Sequence, residues 1–571
     1  MPPEPRHPTQ LSPIGRLHRF ACTVRHLKAR QIRGQIRRRV LRCPRQPGNG
    51  TAIARYTGCA WPADVRFLAP GVRDNPADAV KAGSLRLLSR RADVGFPPDW
   101  RAAGLPRLWQ YNLHYFEWLW ELDYPAARAA VADWIDNHRP SEDAVGWEPY
   151  PTSLRLTNWC AVFFGRWRAQ TQADSGLLDR LWTSIIRQAQ WLSRRLETHL
   201  LGNHYLENGA ALAFVGSCFD GDLARRWFET GSRILREQLP EQVLPDGMHF
   251  ERSPMYHCRA MYVLAMLMAT GDARLREWIA EPLSRMVAAP RHICHPDGQI
   301  ALLNDSALGI CNEPGALRSF CSRLLGIADG DSPAEGCFCL PDAGYYGWRD
   351  PEGNYLICDF GRIGPDYIPG HAHADTFSFE LSLRGHRVIV DAGVYDYEDS
   401  PMRAYCRGTS AHNTVEIDGR DQCELWGAFR VARRGYPHDV LWEPGEQGFR
   451  LSGWHDGYRR LPGRPVHYRR IDWSADGTLT VLDRVTSSRD VRVVSRVHLH
   501  PACTVAVSRP GRLEVEYPGG RLRIDGPPVG IQRLEEGWYC PQFGIRQPAQ
   551  AVAFETRGTD VTLRYSLRQA N

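Results

Sequence analysis

The chain has 571 residues, more than a single hydrophobic core usually holds, so we expect more than one domain. With 43% hydrophobic and 24% charged residues, the composition excludes a disordered or fibrous protein. The net charge of +7 comes largely from one basic N-terminal stretch, so we predict no general binding of nucleic acid.

Residues 1–50 form the first predicted unit, a basic helical segment. Leu17, Phe20, Val24 and Leu27 recur at spacings of three and four, which places them on one face of a helix. Such a face could dock onto the rest of the protein. It could also make a peripheral contact with a membrane of anionic lipid, or with an acidic polysaccharide, and the sequence leaves these interpretations open.

The same stretch bears on localisation. The apolar letters "FACTV" are soon followed by Arg25, His26 and Lys28, so the stretch lacks the apolar core of a secretory signal. No segment reaches the roughly 20 apolar residues of a membrane span. The 16 cysteines lack CxxC pairs, which favours a reduced compartment. We expect a cytoplasmic or membrane-associated protein, with a periplasmic location left open.

Residues 51–335 form the second predicted unit, which is helical. Apolar residues recur there at spacings of three and four, as in "DRLWTSIIRQAQWLSRRLETHL". From residue 336 to residue 571 the period changes to two, as in "TFSFELSLRGHRVIVDAG", which predicts antiparallel β-structure. The stretch "IADGDSPAEG" between them has the composition of a linker. We therefore predict a multidomain protein, with a helical domain first and an antiparallel β-sandwich second.

Two motifs of the helical half carry residues suited to catalysis. In "LGNHYLENGAAL", Asn203 precedes His204, and Glu207 lies three residues further along the same helical face. A capped helix start with an ordinary surface pair would give the same pattern. In "DGMHFERSPMYHCRA", the pair "SP" predicts a helix start just before Tyr256. A tyrosine at such a place is more often a core residue than a catalytic one.

A third cluster lies in the β-structured half. The stretch "PGHAHADT" contains His371 and His373, and His412 follows in "GTSAHNTV". Asp391 stands between them in the chain, and two histidines with one aspartate suit Zn²⁺ when water completes the coordination. The spacing matches no short zinc signature, so the residues alone allow a metal site, a catalytic site or both.

Taken together, these motifs resemble the heparinase II/III-like family of polysaccharide lyases, whose relatives include alginate and oligoalginate lyases. The resemblance runs from about Trp109 to the C-terminus and is densest over "NHYLENG", "GHAHADTFSFELSLRGHRVIVDAG" and "RGTSAHNTVEIDGRDQCELWGAFRVARR". It implies an incomplete (α/α) toroid followed by an antiparallel β-sandwich. It also implies a structural zinc ion, no organic cofactor, and an acidic polysaccharide or oligosaccharide as substrate.

The resemblance assigns a role to each matching residue. The implied catalytic residues are Asn203, His204, Tyr256 and His371, and Glu207 matches a further active-site position that would contact substrate. The implied zinc ligands are His373, Asp391 and His412.

The β-elimination of a uronic acid explains why such residues are needed. A base removes the C5 proton, which lies α to the carboxylate, and the C4 oxygen leaves. Asn203 and His371 would neutralise the carboxylate and the developing negative charge. Either Tyr256 or His204 would act as base, and Tyr256 is the better candidate for the acid that protonates the leaving oxygen. The groove for a polyanion would use Arg155, Arg252, Arg407 and Arg430.

These roles require a particular backbone geometry in the stretch "HAHAD". Alternation along a strand would put both histidines on one face. His371 should instead face the sugar and His373 the metal, so we expect a bent or irregular stretch whose two rings point apart.

Other functions remain open from the sequence. The chain could bind an acidic polysaccharide without cleaving it, or a catalytic zinc could serve a hydrolase. A glycoside hydrolase could use paired carboxylates such as Glu207 and Glu251. For a lyase without an export signal, we expect a place in making or trimming a bacterial surface polysaccharide, that is, in exopolysaccharide metabolism. We make no prediction of the oligomeric state.

Overall fold

A computed structural model of the chain describes residues 12–40, 74–141, 143–328 and 335–570. Part of the predicted N-terminal segment, residues 1–11 and 41–50, lies outside the described residues, as do residues 51–73 at the predicted start of the helical unit. Most of the predicted linker, residues 329–334, also lies outside them. The predicted domain boundaries at residues 50 and 335 therefore stay predictions.

Helices dominate the described chain up to residue 325, as the apolar spacing predicts. A short hairpin, described with the strands below, is the exception before the first sheet. The helices are α1 Pro13–Val24, α2 Ala29–Val40, α3 Ala77–Lys81, α4 Arg107–Tyr115, α5 Tyr124–Asn137, α6 Pro149–Trp159, α7 Arg168–Ala173, α8 Ser175–Arg194, α9 Gly202–Cys218, α10 Asp222–Gln242, α11 Pro254–Met268, α12 Ala273–Met286, α13 Pro290–Ile293, α14 Pro314–Leu325 and α15 Pro401–Arg407.

Strands dominate from residue 336 onward, which confirms the order of a helical region followed by a β-rich region. The strands are β1 Ser84–Leu87, β2 Arg90–Asp93, β3 Gly336–Leu340, β4 Tyr345–Arg349, β5 Tyr355–Asp359, β6 Phe379–Leu383, β7 His386–Ile389, β8 Val415–Ile417, β9 Leu425–Trp426, β10 Arg430–Val431, β11 Pro437–Gly445, β12 Gly448–His455, β13 Val466–Trp473, β14 Leu479–His498, β15 Thr504–Arg509, β16 Arg512–Tyr517, β17 Gly520–Asp525, β18 Ile531–Gln542 and β19 Ile545–Ala570.

Two antiparallel sheets make up most of the β-rich region. The smaller sheet has the strand order β3-β4-β5-β6-β7. The larger has the order β11-β12-β13-β14-β19-β17-β16-β15, with β18 paired to β19 and β8 paired to β14. Leu356 and Leu381 of the smaller sheet share one hydrophobic core with Val481 and Phe554 of the larger. Burial of these alternating side chains therefore holds the two sheets against each other.

The helical region is built around α9, which packs against α6, α10 and α11. Nearly every residue of α9 is buried, so its first turn is rigidly held. The next functional helix, α11, begins where the sequence predicts, because Ser253 caps it and Pro254 occupies its first position. The backbone N–H of Tyr256 donates to the Ser253 hydroxyl at 3.2 Å. Both helices thus present their N-terminal ends at fixed positions.

The apolar face predicted for the N-terminal segment is exposed at one end and half-buried at the other. Leu17 and Phe20 of α1 are 68% and 55% exposed, whereas Val24 and Leu27 are half-buried. Helix α2 lies against the helical region, where its Arg30 pairs with Glu237 and the preceding Lys28 pairs with Glu241. Within the described ranges, no helix combines the length and the apolar content needed to cross a lipid bilayer.

Candidate active site

Three chain segments meet where the helical and β-rich regions come together. They are the first turn of α9, the first turn of α11 and the loop 369–376. The ring centroids of Tyr256 and His371 lie 3.9 Å apart. His371 Nε2 lies 3.6 Å from Glu251 Oε2, and Glu251 Oε1 accepts a hydrogen bond from the backbone N–H of Asn203 at 3.0 Å. Asn203 and His371 thus contact one glutamate, and Tyr256 lies against His371.

Glu251 is the centre of this junction, although the sequence suggested it only as one carboxylate of a hydrolase pair. It is 2% exposed, and burial raises the pKa of its carboxyl group. The residue before Asn203 is Gly202, with φ of +57°, and a Cβ there would lie 2.8 Å from Glu251 Oε1. Glycine is therefore needed for the start of α9 to approach this carboxyl group.

The amide of Asn203 keeps unused hydrogen-bonding capacity. Its Nδ2 makes one long contact, 3.4 Å to Glu251 Oε2, and its buried Oδ1 has no hydrogen-bond partner among the described residues. A buried polar atom without a partner is costly, which makes a ligand the natural partner.

His204 follows Asn203 in the first turn of α9 and is partly accessible, with 31% of its side chain exposed. Its Nδ1 lies 3.0 Å from Glu197 Oε1, and Asn208 Nδ2 donates to the other oxygen of Glu197 at 3.0 Å. Burial alone would lower the pKa of His204, but the Glu197 carboxylate outweighs burial and raises it. The Tyr150 ring lies 4.6 Å from the His204 ring, centroid to centroid. Glu197 therefore orients the imidazole and leaves Nε2 for a substrate.

Two tyrosine hydroxyls meet beside His371. The hydroxyl oxygens of Tyr256 and Tyr397 are 3.2 Å apart, and Tyr397 Oη lies 3.4 Å from His371 Nδ1. Burial, followed by the neighbouring tyrosine, raises the pKa of Tyr256 well above its ordinary value. Tyr256 thus holds its proton at neutral pH, as a general acid must. No pattern around Tyr397 in the sequence indicates a site residue.

Asp305 anchors both histidines of "HAHAD". His371 Nδ1 lies 2.9 Å from Asp305 Oδ2, and His373 Nε2 lies 2.8 Å from Asp305 Oδ1. Arg403 donates to both oxygens. Burial would raise the pKa of Asp305, but Arg403 and the two histidines hold it well below its ordinary value.

The loop itself contains no strand, so the predicted irregularity is confirmed. The expectation that the two rings point apart needs correction, because both meet the same carboxylate. The rings differ only in their other neighbours. His371 Nε2 lies near Glu251, whereas the ring centroid of His373 lies 5.3 Å from that of His412.

The three predicted zinc ligands form one buried cluster. Ligand atoms of His373, Asp391 and His412 all lie within 4.8 Å of one another. His373 Nδ1 and His412 Nε2 are buried and have no hydrogen-bond partner among the described residues. His412 Nδ1 lies 2.7 Å from Asp391 Oδ2. Two unpartnered imidazole nitrogens beside a carboxylate are a donor set that fits a zinc ion.

Glu207 lies beneath His204 rather than in the junction. Its Oε1 accepts a hydrogen bond from Arg259 Nε at 2.8 Å and one from the Tyr150 hydroxyl at 3.5 Å. Arg259 also contacts Glu117 at 3.2 Å. The side chain of Glu207 is 8% exposed, so its predicted contact with substrate stays a prediction.

Two of the four arginines that the sequence predicts in a substrate groove are buried instead, so this prediction is wrong for them. Arg155 is fully buried, stacks on Trp134 and donates to the Gly146 carbonyl at 2.7 Å. Arg407 is 1% exposed and donates to the Ala372 carbonyl at 3.1 Å. Each guanidinium supports a loop, and neither faces a groove. Abundant arginines gave no sequence signal that separates buried from exposed ones.

The other two arginines are accessible to different degrees. Arg252 has φ of +55° and donates to the carbonyls of Ala343 and Asp342 at 3.1 and 3.0 Å, which joins the helical region to the β-rich region. Arg430 is exposed and lies over the Trp426 ring, 4.6 Å from its centroid.

Comparison with known proteins identifies relatives over most of the chain. The family model "Heparinase II/III N-terminus" matches residues 110–314, and "Heparinase II/III-like, C-terminal" matches residues 333–568. A heparin-sulfate lyase of Pedobacter heparinus is 26% identical over 330 residues, covering 53% of this chain and 48% of the relative. One of Bacteroides thetaiotaomicron is 24% identical over 433 residues, covering 64% and 59%. The chain thus spans about half the length of these curated relatives.

Solved structures share the fold. A crystal structure of heparinase III superposes with a TM-score of 0.68 at 16% identity, covering 98% of this chain and 93% of the other. The structure of the heparan sulfate lyase HepC from Pedobacter heparinus gives a TM-score of 0.58 at 20% identity, covering 95% and 87%.

Proposed function

Since the chain belongs to the heparinase II/III-like family, we propose that it is a polysaccharide lyase that cleaves a uronic-acid-containing acidic polysaccharide by β-elimination. The observation that carries this proposal is the junction in which Asn203 and His371 contact Glu251 and Tyr256 lies against His371. It brings together an amide with unused hydrogen-bonding capacity, a protonated phenol and an imidazole. A purely structural interface has no need of that combination.

The substrate carboxylate would be bound by Asn203 and His371. The C5 proton is very weakly acidic while the carboxylate is charged, so the site must stabilise the dianion that forms when the proton leaves. The amide Nδ2 of Asn203 and Nε2 of His371 are the donors for this task. Glu251 holds these donors in place, because its Oε1 accepts a hydrogen bond from the Asn203 backbone N–H at 3.0 Å and its Oε2 lies 3.6 Å from His371 Nε2.

Proton transfer would fall to Tyr256 and His204. Tyr256 has its proton and lies against His371, so it protonates the C4 oxygen as that oxygen leaves. His204, whose Nδ1 is held by Glu197, removes the C5 proton through Nε2, or Tyr256 removes it in a phenolate form and passes the same proton to the C4 oxygen. Which residue acts as base depends on whether the C5 proton lies anti or syn to the leaving oxygen.

We propose that His373, Asp391 and His412 hold a zinc ion. The support is their burial and the two unpartnered nitrogens. Asp305 would act as the carboxylate that orients His373 through its other nitrogen. The ion would supply a rigid cross-link below the loop that carries His371, and the elimination itself needs no metal step.

We further infer that the helical region is an incomplete (α/α) toroid and the β-rich region a sandwich. The packing of α9 among α6, α10 and α11 supports the first, and the core shared by the two sheets supports the second. A substrate in exopolysaccharide metabolism and a likeness to alginate lyases remain part of this proposal.

We also propose a peripheral role for α1 and a cytoplasmic or membrane-associated location. Ile14, Leu17 and Phe20 are exposed on α1, and residues 12–40 contain no acidic residue. An anionic membrane surface would match both features. Sedimentation with anionic and with neutral vesicles tests the proposal: the wild type should bind the anionic vesicles more strongly, and Leu17→Ser with Phe20→Ser should weaken that binding.

The decisive experiment is incubation with a panel of uronic-acid polymers, including heparan sulfate and alginate. A lyase leaves an unsaturated sugar, whose ultraviolet absorbance rises with each cleavage. Binding without any rise in absorbance would identify a polysaccharide-binding protein. Chain shortening without the double bond would identify a hydrolase and refute the proposed reaction.

A further inference from the structure

Helix α2 carries one buried polar residue that bridges the two catalytic segments. Gln31 is 2% exposed. Its Nε2 donates to the Leu200 carbonyl at 3.0 Å and to the Tyr367 carbonyl at 3.1 Å. Leu200 precedes Asn203 and His204 in the chain, and Tyr367 precedes His371. One side-chain amide thus joins the helical region to the β-rich region close to both sets of catalytic residues.

Every polar atom of the Gln31 side-chain amide has a hydrogen-bond partner. Its Oε1 accepts a hydrogen bond from the backbone N–H of Lys28 at 2.9 Å, so each of its polar groups has a partner. Both amide hydrogens are committed, one to each region. A buried amide in this arrangement fixes the distance between two carbonyl groups, because losing it would leave both without partners.

The rest of α2 packs tightly against the segment that leads into α9. A Cβ on Gly34 would lie 2.8 Å from the backbone nitrogen of His199. Arg38 Nη1 lies 3.0 Å from His199 Nε2. This segment begins with Glu197, the carboxylate that orients His204. The contact of α2 therefore reaches the catalytic imidazole through the backbone of residues 197–201.

Contacts to the other region surround the same amide. Lys28 Nζ lies 4.0 Å from the Tyr367 ring centroid. Helix α1 reaches the hairpin of β9 and β10, where Arg19 Nη1 donates to the Leu425 carbonyl at 2.7 Å. That hairpin carries Phe429, whose ring centroid is 6.4 Å from that of His371. Helices α1 and α2 thus hold the β-rich side of the site as well as the helical side.

We propose that Gln31 is a positioning residue that sets the spacing between Asn203–His204 and His371. The inference rests on the proposed lyase function and adds a residue that contacts neither substrate nor reacting atoms. The carboxylate-binding donors come from two regions, so the rate depends on their separation. A displacement of about 1 Å is enough to cost about 100-fold in rate.

The test compares three full-length variants with the wild type. Gln31→Met keeps the length of the side chain and removes both donors. Gln31→Glu keeps the shape but sets acceptors against the two carbonyl groups. Gln35→Met makes the same chemical change as the first variant one turn further along α2, at a half-buried residue. We measure kcat and KM on the polymer that the wild type cleaves, together with hydrogen–deuterium exchange.

We expect kcat to fall about 10-fold or more in Gln31→Met and at least as far in Gln31→Glu, with KM changed less than about 2-fold. Exchange should rise in residues 197–204 and 367–373 and stay unchanged elsewhere. Gln35→Met should behave as the wild type. Should Gln31→Met fail to fold, Gly34→Ala carries the test, because its new methyl group pushes α2 away from His199.

Wild-type kcat in Gln31→Met would overturn the proposal, and so would a rise of exchange spread over the whole protein. A wild type that cleaves no polymer would refute the proposed function instead. In that case the exchange pattern alone decides whether Gln31 holds the two segments.

Discussion

The hydroxyl group of Tyr256 is the smallest group on which the proposed elimination depends. Tyr256→Phe removes the proton that is donated to the leaving oxygen, and it leaves the ring against His371 in place. We expect kcat to fall by about 10²- to 10⁴-fold, the range of one acid–base step. Product absorbance on the cleaved polymer measures the loss.

Tyr262→Phe is the matched control for that change. Tyr262 lies on the same helix, is buried, and its hydroxyl has no hydrogen-bond partner among the described residues. It should keep wild-type activity. A Tyr256→Phe enzyme as active as this control would remove Tyr256 from the mechanism.

Glu197 controls the protonation of His204, so it should control the pH dependence. If His204 is the base, it must be neutral, and its raised pKa makes the rate fall as the pH drops through a value above 6.5. Glu197→Gln removes the charge that raises the pKa of His204. The acidic limb of kcat/KM against pH should then move to lower pH.

Glu277→Gln, at an exposed position of α12, is the control and should leave the profile unchanged. An acidic limb that stays in place in Glu197→Gln would show that His204 is not the titrating base, and Tyr256 would then take both roles.

Among single residues, the sequence predicts those that belong to recognisable motifs. It does not predict residues that reach the site from distant parts of the chain. Asn203, Tyr256 and His371 belong to motifs that could be recognised as a set. Asp305 and Tyr397 meet His371 only after chain segments far apart in sequence have packed together, so no local pattern marks them. Arg155 fails for the converse reason, since burial by the aromatic core is invisible in a list of arginines.

The loop 369–376 is the element that depends most on the proposed zinc ion. His412→Ala removes one predicted ligand from the cluster below this loop. We expect the purified variant to contain no zinc, to unfold at a lower temperature and to lose lyase activity, because His371 loses its rigid support. Elemental analysis and thermal unfolding measure these changes.

His438→Ala, which removes a half-buried histidine outside this cluster, should retain the zinc content of the wild type. A wild type free of zinc, whose unfolding temperature is insensitive to chelation, would contradict the metal assignment. Activity that required zinc but yielded no unsaturated product would favour a hydrolase.

Helices and strands were predicted well where a regular apolar pattern extends over many residues. The change from helical spacing to alternation correctly ordered the two regions, and "SP" located the start of α11. Helix α15 and the short β9–β10 hairpin were not foreseen, because each is too brief for a periodic signal. Docking of the N-terminal segment was one of the open interpretations, but the sequence placed it on the apolar face of Leu17–Leu27, whereas the buried polar contact comes from Gln31 of α2.

Buried neutral histidines should make the whole molecule sensitive to mild acid. Burial lowers the pKa of His249 to about 3 and that of His257 to about 4, and it lowers the pKa values of His114 and His455 well below 6.5. In the unfolded chain these groups bind protons below pH 6.5, whereas in the folded chain they do not. Stability therefore falls as the pH drops through 6.5.

Each such histidine costs about 1 kcal/mol of unfolding free energy one pH unit below its ordinary pKa. Thermal unfolding at a series of pH values should show the midpoint falling well before the carboxylates titrate. His257→Leu should flatten this dependence, and His386→Leu, at an exposed position, should not. A midpoint that is constant between about pH 7.5 and about pH 5.5 would contradict the prediction.

The sharing of Asp305 between His371 and His373 limits how the two halves of this protein can be recombined. The aspartate belongs to the stretch matched by the N-terminal family model, while both histidines and Arg403 belong to the stretch matched by the C-terminal one. A chimaera that joins this β-rich half to a foreign helical half without an aspartate at the place of Asp305 would inherit a buried arginine without its counter-charge. The two halves can therefore be exchanged only as a pair, or with the aspartate carried along.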